Sequence, residues 1–192
     1  MTSKIIYLSR HGESIYNLEE RIGGNSDLSK NGIEYSKKLS NYFNNKSNKI
    51  IVWTSKLKRT IQTGKNLNFP KYEFNELNEI NAGIYENITF EEFKNNYPDE
   101  YNKRLNDKLN YKYKDGESYI DLINRIDNII KTINSTNEDI LIISHQAILR
   151  VLIGILLNKK LEEIPFISIP LHTLFKIEFS NDNIMFEKFS LQ

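Results

Sequence analysis

Apolar and polar positions along the chain follow two rhythms, and the switches between them mark the elements. Lys4 to Ser9 is an almost unbroken apolar run, which predicts a buried strand. Leu28 to Phe43 carries apolar residues at helical spacing, with Asp27 or Ser29 as the cap. Lys49 to Thr54 predicts a second strand, and Ser55 is placed to cap a helix running to about Leu67. Thr89-Phe90-Glu91-Glu92 has the form of a capping box and predicts a short helix before Pro98. A polar helical stretch follows, roughly Asp99 to Lys108. Ser118 then opens a helix in which Tyr119, Leu122, Ile123, Ile126, Ile129, Ile130 and Ile133 form one apolar stripe. Asp139 to Ser144 is a third strand, and Ala147 to Leu157 a helix apolar enough to be buried. Leu174 to Phe179 and Ile184 to Phe189 predict a hairpin around Ser180-Asn181-Asp182-Asn183.

Strands alternating with helices predict an α/β fold with a largely parallel sheet. In such sheets the site lies beyond the carboxyl ends of the strands. The stretch from about 78 to 116 is more polar and breaks the alternation, as a helical cap inserted over the site would. With 192 residues, the chain fits one domain, residues 1–192, carrying that insertion. Apolar residues make up 39%, enough for a real core, and charges nearly cancel to a formal +1. That balance calls for neither nucleic acid nor a membrane surface. No apolar run is long enough to span a bilayer, and no signal peptide or lipidation motif is present. The absence of cysteine excludes disulfides and thiolate metal sites and suits a cytoplasmic protein.

The chemistry concentrates where strands end. Leu8-Ser9-Arg10-His11-Gly12-Glu13-Ser14 follows the first apolar run, so an arginine and a histidine sit where the chain must turn. His145 follows the third strand in the same way. A lone histidine is usually structural and a lone Arg-His-Gly triplet arises by chance; the companions give the pattern weight. Arg59 lies just after the second strand, where a guanidinium at a helix start binds phosphate oxygens in pairs. Glu79, in Leu77-Asn78-Glu79-Ile80, has a carboxyl group that can protonate a leaving alkoxide. His11, Arg10, Arg59, Glu79 and His145 together form a workable phosphoryl-transfer set. One imidazole attacks phosphorus, the cations stabilise the equatorial oxygens, the carboxyl protonates the departing oxygen, and water completes the cycle. Such a set needs no metal or cofactor, and no metal or nucleotide motif is present.

The stretches RHGESIYN, ERIGGNSDLSKNG, VWTSKLKRTIQT, LNEINAGIYENITFEEF, YPDEYNKR, DGESYIDLINR, ISHQAILRVL and IPLHTLFKI resemble the histidine phosphatase superfamily, with its phosphoglycerate mutase-like fold. Within it they are most similar to fructose-2,6-bisphosphatase domains, over Ile6 to about Lys176. The resemblance implies a three-layer fold with a largely parallel central sheet, and a small phosphorylated sugar as the partner. It makes His11 the phosphorylated nucleophile and Glu79 the proton donor. It puts Arg10, Arg59, Asn17 and His145 in the phosphate pocket. It puts Ile22 and Gly23 against the sugar, and Arg104, Lys108, Tyr119, Gln146 and Arg150 around fructose 6-phosphate.

Spacing agrees independently. Arg104 and Lys108 are four apart, as are Gln146 and Arg150, so a helix would set each pair on one face. Tyr119 fits both the site and the apolar stripe. One position departs from the family: Phe90 stands where a tyrosine hydroxyl usually helps hold the sugar phosphate. His172, in Pro170-Leu171-His172-Thr173, is expected to be a hydrogen-bonded structural residue. The leading expectation is hydrolysis of the 2-phosphate of fructose 2,6-bisphosphate. The alternatives are a broad sugar-phosphate phosphatase, a phosphoglycerate mutase, or an inactive sugar-phosphate-binding protein.

Overall fold

The computed structural model describes residues 4–46, 49–180 and 183–191. The elements run β1 (Lys4–Arg10), α1 (Ile15–Leu18), α2 (Lys30–Asn44), β2 (Ile50–Ser55), α3 (Lys58–Gly64), β3 (Lys71–Phe74), α4 (Phe90–Asn96), α5 (Pro98–Asn106), α6 (Tyr119–Arg125), α7 (Asp127–Ser135), β4 (Asp139–Ser144), α8 (Gln146–Leu156), β5 (Thr173–Ser180) and β6 (Asn183–Ser190). The strands form one six-stranded sheet in the order β3-β2-β4-β1-β5-β6. β3, β2, β4 and β1 are mutually parallel; β5 runs antiparallel to β1, and β6 antiparallel to β5. The α/β architecture with a largely parallel sheet is therefore as expected. No helix among the described residues is long and apolar enough to cross a membrane.

Strand periodicity builds both sides of the sheet. Ile6, Leu8, Ile140, Ile142 and Phe175 point to one face, where they pack with Leu122, Ile126, Ile129, Ile133 and the buried side of α8. Tyr7, Leu141, Ile143, Ile50 and Val52 point to the other, against Tyr35, Leu39 and Phe43 of α2. A sheet covered on both faces needs apolar residues at nearly every position, which is why β1 and β4 read as continuous apolar runs. The predicted 118–133 helix is divided by Ile126 into α6 and α7, yet its stripe stays on the core side. Backbone bonds from Ile126 N–H to the Leu122 carbonyl and from Ile130 N–H to the Ile126 carbonyl carry the helical path across the junction.

Several boundaries differ for visible reasons. Ser29, not Asp27, caps α2, accepting the Gly32 N–H. Ser55 is not the N-cap residue: α3 starts later, with Leu57 at its N-cap position, and the Ser55 hydroxyl accepts the Leu57 N–H at 3.1 Å while also meeting His145. The pattern gave no sign of β3, an edge strand whose residues are largely exposed. Of the predicted hairpin turn, Asn181 and Asp182 lie outside the described residues. Thr89 and Ser118 make the capping interactions expected of them.

Residues 78–116 carry α4 and α5, and their Ala82, Tyr85, Phe93 and Tyr113 form a small core with Ile22. The loop around Ile22 is tied to this segment by reciprocal backbone bonds, Ile22 N–H to the Ile88 carbonyl and Asn87 N–H to the Ile22 carbonyl, both 2.8 Å.

The turn after β1 is pressed against the start of α2. A Cβ on Gly32 would lie 2.0 Å from the Glu13 carbonyl oxygen, and one on Gly12 would lie 2.5 Å from the Gly32 carbonyl oxygen. Both neighbours are backbone, so neither can swing aside. Gly32→Ala should therefore destabilise the protein by about 1–3 kcal/mol, the usual cost of overpacking. The shift of the urea midpoint measures it; an unchanged midpoint would mean the turn and α2 are free to separate.

Candidate active site

Each of the four parallel strands delivers part of one cleft. β1 and β4 pair so that Arg10 stands opposite Ser144. The next residues, His11 and His145, therefore leave the sheet side by side, and the His11 N–H donates to the Ser144 carbonyl at 2.9 Å. β2 ends at Ser55 and leads into α3, which carries Arg59. The chain after β3 passes Leu77, whose carbonyl accepts the Ser144 hydroxyl at 2.8 Å, and so brings Glu79 to the same place.

The imidazole rings of His11 and His145 lie 5.1 Å apart, centroid to centroid. Both are buried, at 3% and 0% exposure. Burial, reinforced by the positive charge of Arg59, holds both well below the ordinary histidine range, so both rings are neutral. The tautomer of His11 follows from its contacts. Nδ1 lies 2.7 Å from the Gly12 carbonyl, an acceptor only, so Nδ1 carries the proton. Nε2 then holds the lone pair, and Arg59 Nε–H donates to it at 3.2 Å. His145 Nε2 lies 2.8 Å from the Ser55 hydroxyl, which also touches the Thr60 hydroxyl at 2.8 Å. His145 Nδ1 is buried with no hydrogen-bond partner among the described residues.

The arginines are buried too. Arg10 donates from one Nη to the Ile169 carbonyl at 3.3 Å, while its Nε is likewise buried and unpartnered among the described residues. Burial, against the opposing pull of Glu79, lowers its guanidinium to about 10, still cationic at neutral pH. Arg59 donates from Nη1 to the Gly24 carbonyl at 2.7 Å. Thr63 ties the two together: its hydroxyl accepts the Gly12 N–H at 2.9 Å and donates to the Arg59 carbonyl at 2.6 Å. Glu79 Oε1 accepts the backbone N–H groups of Ile80 and Ala147, at 3.0 and 3.1 Å. The second of these belongs to the first turn of α8, where a carboxylate is favoured.

The same cleft gathers the other expected residues. Gln146 and Arg150, both on α8, line it, as do Asn17, Ile22, Gly23, Arg104, Lys108 and Tyr119. Tyr119 answers to both expectations: its ring is buried in the core, and its hydroxyl accepts from Arg150 at 3.0 Å. Arg150 Nε donates to the Ile167 carbonyl at 2.8 Å, so this arginine on an apolar helix has its partners. Asn17 uses its side-chain oxygen on the Ser14 N–H and hydroxyl, closing a capping box at α1. The helical argument for Arg104 and Lys108 holds only in part. α5 ends at Asn106, and Lys108 reaches the cleft from beyond it, donating to the Pro165 carbonyl at 3.0 Å. Phe90 lies on the cleft wall with the Arg104 guanidinium 5.6 Å from its ring centre.

Some lining residues had no sequence signal. Tyr113 accepts from Arg104 Nε at 2.7 Å, and Ser14, Tyr16, Arg21, Ile80 and Tyr111 also face the cleft. Ser55, Thr60 and Thr63 support the histidines and Arg59 from behind. His172 is not among the lining residues. Its ring stacks on Tyr35 at 4.8 Å and its Nε2 accepts the Glu13 N–H at 3.4 Å, a structural placement. Among the described residues no group of three or more His, Cys, Asp or Glu side chains is arranged to hold a metal ion. The lining includes six cationic side chains, Arg10, Arg21, Arg59, Arg104, Lys108 and Arg150, against one carboxylate, Glu79. In a chain of formal charge +1, this cleft concentrates positive charge, which attracts anions.

Known proteins share this sequence and fold. The family model of the histidine phosphatase superfamily (branch 1) matches residues 6–192. A fructose-2,6-bisphosphatase of Saccharomyces cerevisiae is 46% identical over 177 residues, 91% of this chain and 39% of that protein. The human 6-phosphofructo-2-kinase/fructose-2,6-bisphosphatase 3 is 45% identical over 175 residues, 91% of this chain and 34% of that protein. The chain thus spans less than two-fifths of the length of these curated relatives. In fold it is similar to the alpha-ribazole phosphatase of Shigella flexneri, with a TM-score of 0.85, 22% identity, and coverage of 95% and 94% of the two chains.

Burial and the charges of Arg150 and Arg104 pull the Lys108 ammonium down to about 8. Below that pH the group is a cation; above it the charge is lost. The affinity of the cleft for a doubly phosphorylated sugar, measured by calorimetry, should therefore fall as pH rises through about 8. Lys108→Arg should abolish that fall, since arginine keeps its charge. An affinity flat across this range in the unsubstituted protein would remove Lys108 from the binding site.

Proposed function

Because the chain belongs to the histidine phosphatase superfamily, we propose that it hydrolyses the 2-phosphate of fructose 2,6-bisphosphate, releasing fructose 6-phosphate and phosphate through a phosphohistidine at His11. The observation that carries the reading is the cationic lining of one cleft, in which Arg10 and Arg59 stand with the histidines and Arg104, Lys108 and Arg150 add three more positive charges. A single phosphate needs only the first group; a sugar with two phosphates uses both. The names and identities of the relatives support the same substrate.

The chemistry follows from the tautomer. The lone pair of His11 Nε2 attacks phosphorus, forming the N–P bond as the P–O bond to the sugar breaks. Arg10, Arg59 and the Nδ1–H of His145 donate to the equatorial oxygens, where charge gathers in the transition state. Arg10 Nε is a buried donor free to do this, and His145 Nδ1 is one too in the tautomer whose Nε2 accepts the Ser55 hydroxyl proton. Neutrality of His11 suits it as nucleophile, because a protonated Nε2 has no lone pair to give. Glu79 gives its proton to the departing sugar oxygen. It then takes one from the water that attacks phosphohistidine, restoring the enzyme. Residues 78–116 act as a cap that supplies Phe90, Arg104 and Lys108 to the second phosphate.

The direct test is phosphate release from fructose 2,6-bisphosphate in the presence of EDTA, beside 3-phosphoglycerate and generic phosphate esters. Selective release of the 2-phosphate is expected. Faster turnover of 3-phosphoglycerate or of a generic ester would replace the substrate, and binding without turnover would make the protein a sugar-phosphate receptor. His11→Ala should abolish both the acid-labile phosphoenzyme and turnover; retained activity would sink the nucleophile.

Phe90 bears on affinity. It lines the cleft beside Arg104, at a position where the resemblance puts a tyrosine hydroxyl on the sugar phosphate, and one hydrogen bond to a charged group contributes about 1.5 kcal/mol at the low end of its range. Phe90→Tyr should lower KM by roughly tenfold with kcat little changed. An unchanged KM would place the second phosphate away from residue 90.

A further inference from the structure

Glu86 is not among the residues lining the catalytic cleft, yet it meets the loop that holds Arg59. It follows the turn Gly83–Tyr85. Its Oε1 accepts the Ala82 N–H at 2.8 Å, and its Oε2 accepts the Gly24 N–H. The carboxylate occupies the space above Gly23: a Cβ there would lie 2.0–2.4 Å from its three atoms. Gly23 and Gly24 both have positive φ, +63° and +65°, so the turn requires glycine, and a Cβ on Gly24 would meet the Tyr16 ring at 2.4 Å. The turn is thus held from two sides by side chains. From it the path continues inward. The Gly24 carbonyl accepts from Arg59 Nη1 at 2.7 Å, and Arg59 Nε is 3.2 Å from His11 Nε2.

We propose that Glu86 is a positioning residue for phosphoryl transfer: its carboxylate fixes the Gly23-Gly24 turn, and the Gly24 carbonyl in turn aims the Arg59 guanidinium at the oxygens of the phosphate on His11. The proposal rests on the reading of His11 as nucleophile. Glu86 does not touch the substrate; it acts through a backbone carbonyl and an arginine. Its negative charge also supports the Arg59 cation, second to Glu79, against the burial that lowers it. Glutamine keeps the size of the side chain but offers one acceptor oxygen for two N–H groups, so it loosens one of the two ties without emptying the space.

The test is a double-mutant cycle of Glu86→Gln and Arg59→Ala, with thermal midpoints confirming that each variant is folded. Turnover is read on fructose 2,6-bisphosphate and on p-nitrophenyl phosphate, and inhibition by orthovanadate is read alongside. Glu86→Gln should lower kcat about ten- to a hundredfold, the scale of a misplaced catalytic group. KM for the sugar should stay within about threefold, because Arg104, Lys108 and Arg150 are untouched. In the Arg59→Ala background the same substitution should change kcat by less than about twofold, since the group it positions is gone. A Glu86→Gln variant with kcat within about twofold of the parent overturns the proposal, and so do losses that multiply in the double variant. The second substrate keeps the two failures apart. An incorrect sugar shows in the substrate panel while the coupling is still read on p-nitrophenyl phosphate, whereas full activity in His11→Ala removes the nucleophile and this inference with it.

Discussion

The parallel pairing of β1 with β4 is the constraint on which the rest depends. Its register sets Arg10 against Ser144, so that two histidines 134 positions apart in sequence emerge as neighbours. A slip of one residue would turn Ile6 and Leu8 to the wrong face of the sheet and separate the imidazoles in the same stroke. Catalytic geometry and core packing are therefore specified by the same hydrogen bonds. The strands that flank this pair add to it in order. β2 brings Ser55 to His145 and leads to Arg59, and the chain after β3 brings Glu79.

The energetics of the site run against those of the fold around it. Two imidazoles and two guanidinium groups are removed from water, and each loses hydration that the protein only partly replaces. The replacements are specific: the Gly12, Gly24 and Ile169 carbonyls, the Ser55 hydroxyl and the Glu79 carboxylate. What is not replaced, at Arg10 Nε and His145 Nδ1, is the hydrogen-bonding capacity that a phosphoryl group would use. Under the proposed reaction, donors fixed before the ligand arrives need no reorganisation when charge develops, and that is where their catalytic value would come from.

What the sequence disclosed follows a physical division. Strands buried on both faces and helices with one apolar stripe declare themselves through periodicity, so β1, β4, α2 and α8 were legible. The edge strand β3 was not: Lys71-Tyr72-Glu73-Phe74 alternates, but over only four largely exposed residues, too short a run to stand out. Ser55 shows the harder limit. A serine between a strand and a helix has the form of a cap; its hydroxyl does accept the Leu57 N–H beside α3, but it also meets His145, ninety residues away, which no local pattern shows. The site divided likewise. Charged residues at strand ends could be picked out, whereas Thr63, Tyr113 and Glu86 act through partners that no local pattern reveals. Arg104 and Lys108 line one cleft, but not through a shared helix face, since the helix stops before Lys108.

The imbalance of six cations to one carboxylate in the cleft has a kinetic consequence. Low-dielectric walls focus the field of such a cluster outward, so an anion is drawn in faster than diffusion alone would bring it, and added salt weakens the pull. Under the proposed reaction, a single highly charged molecule enters and two less charged ones leave. Each product carries only part of the charge, so cleavage itself divides the attraction that captured the substrate. The charge distribution that speeds arrival thereby loosens its own hold once the bond is cut.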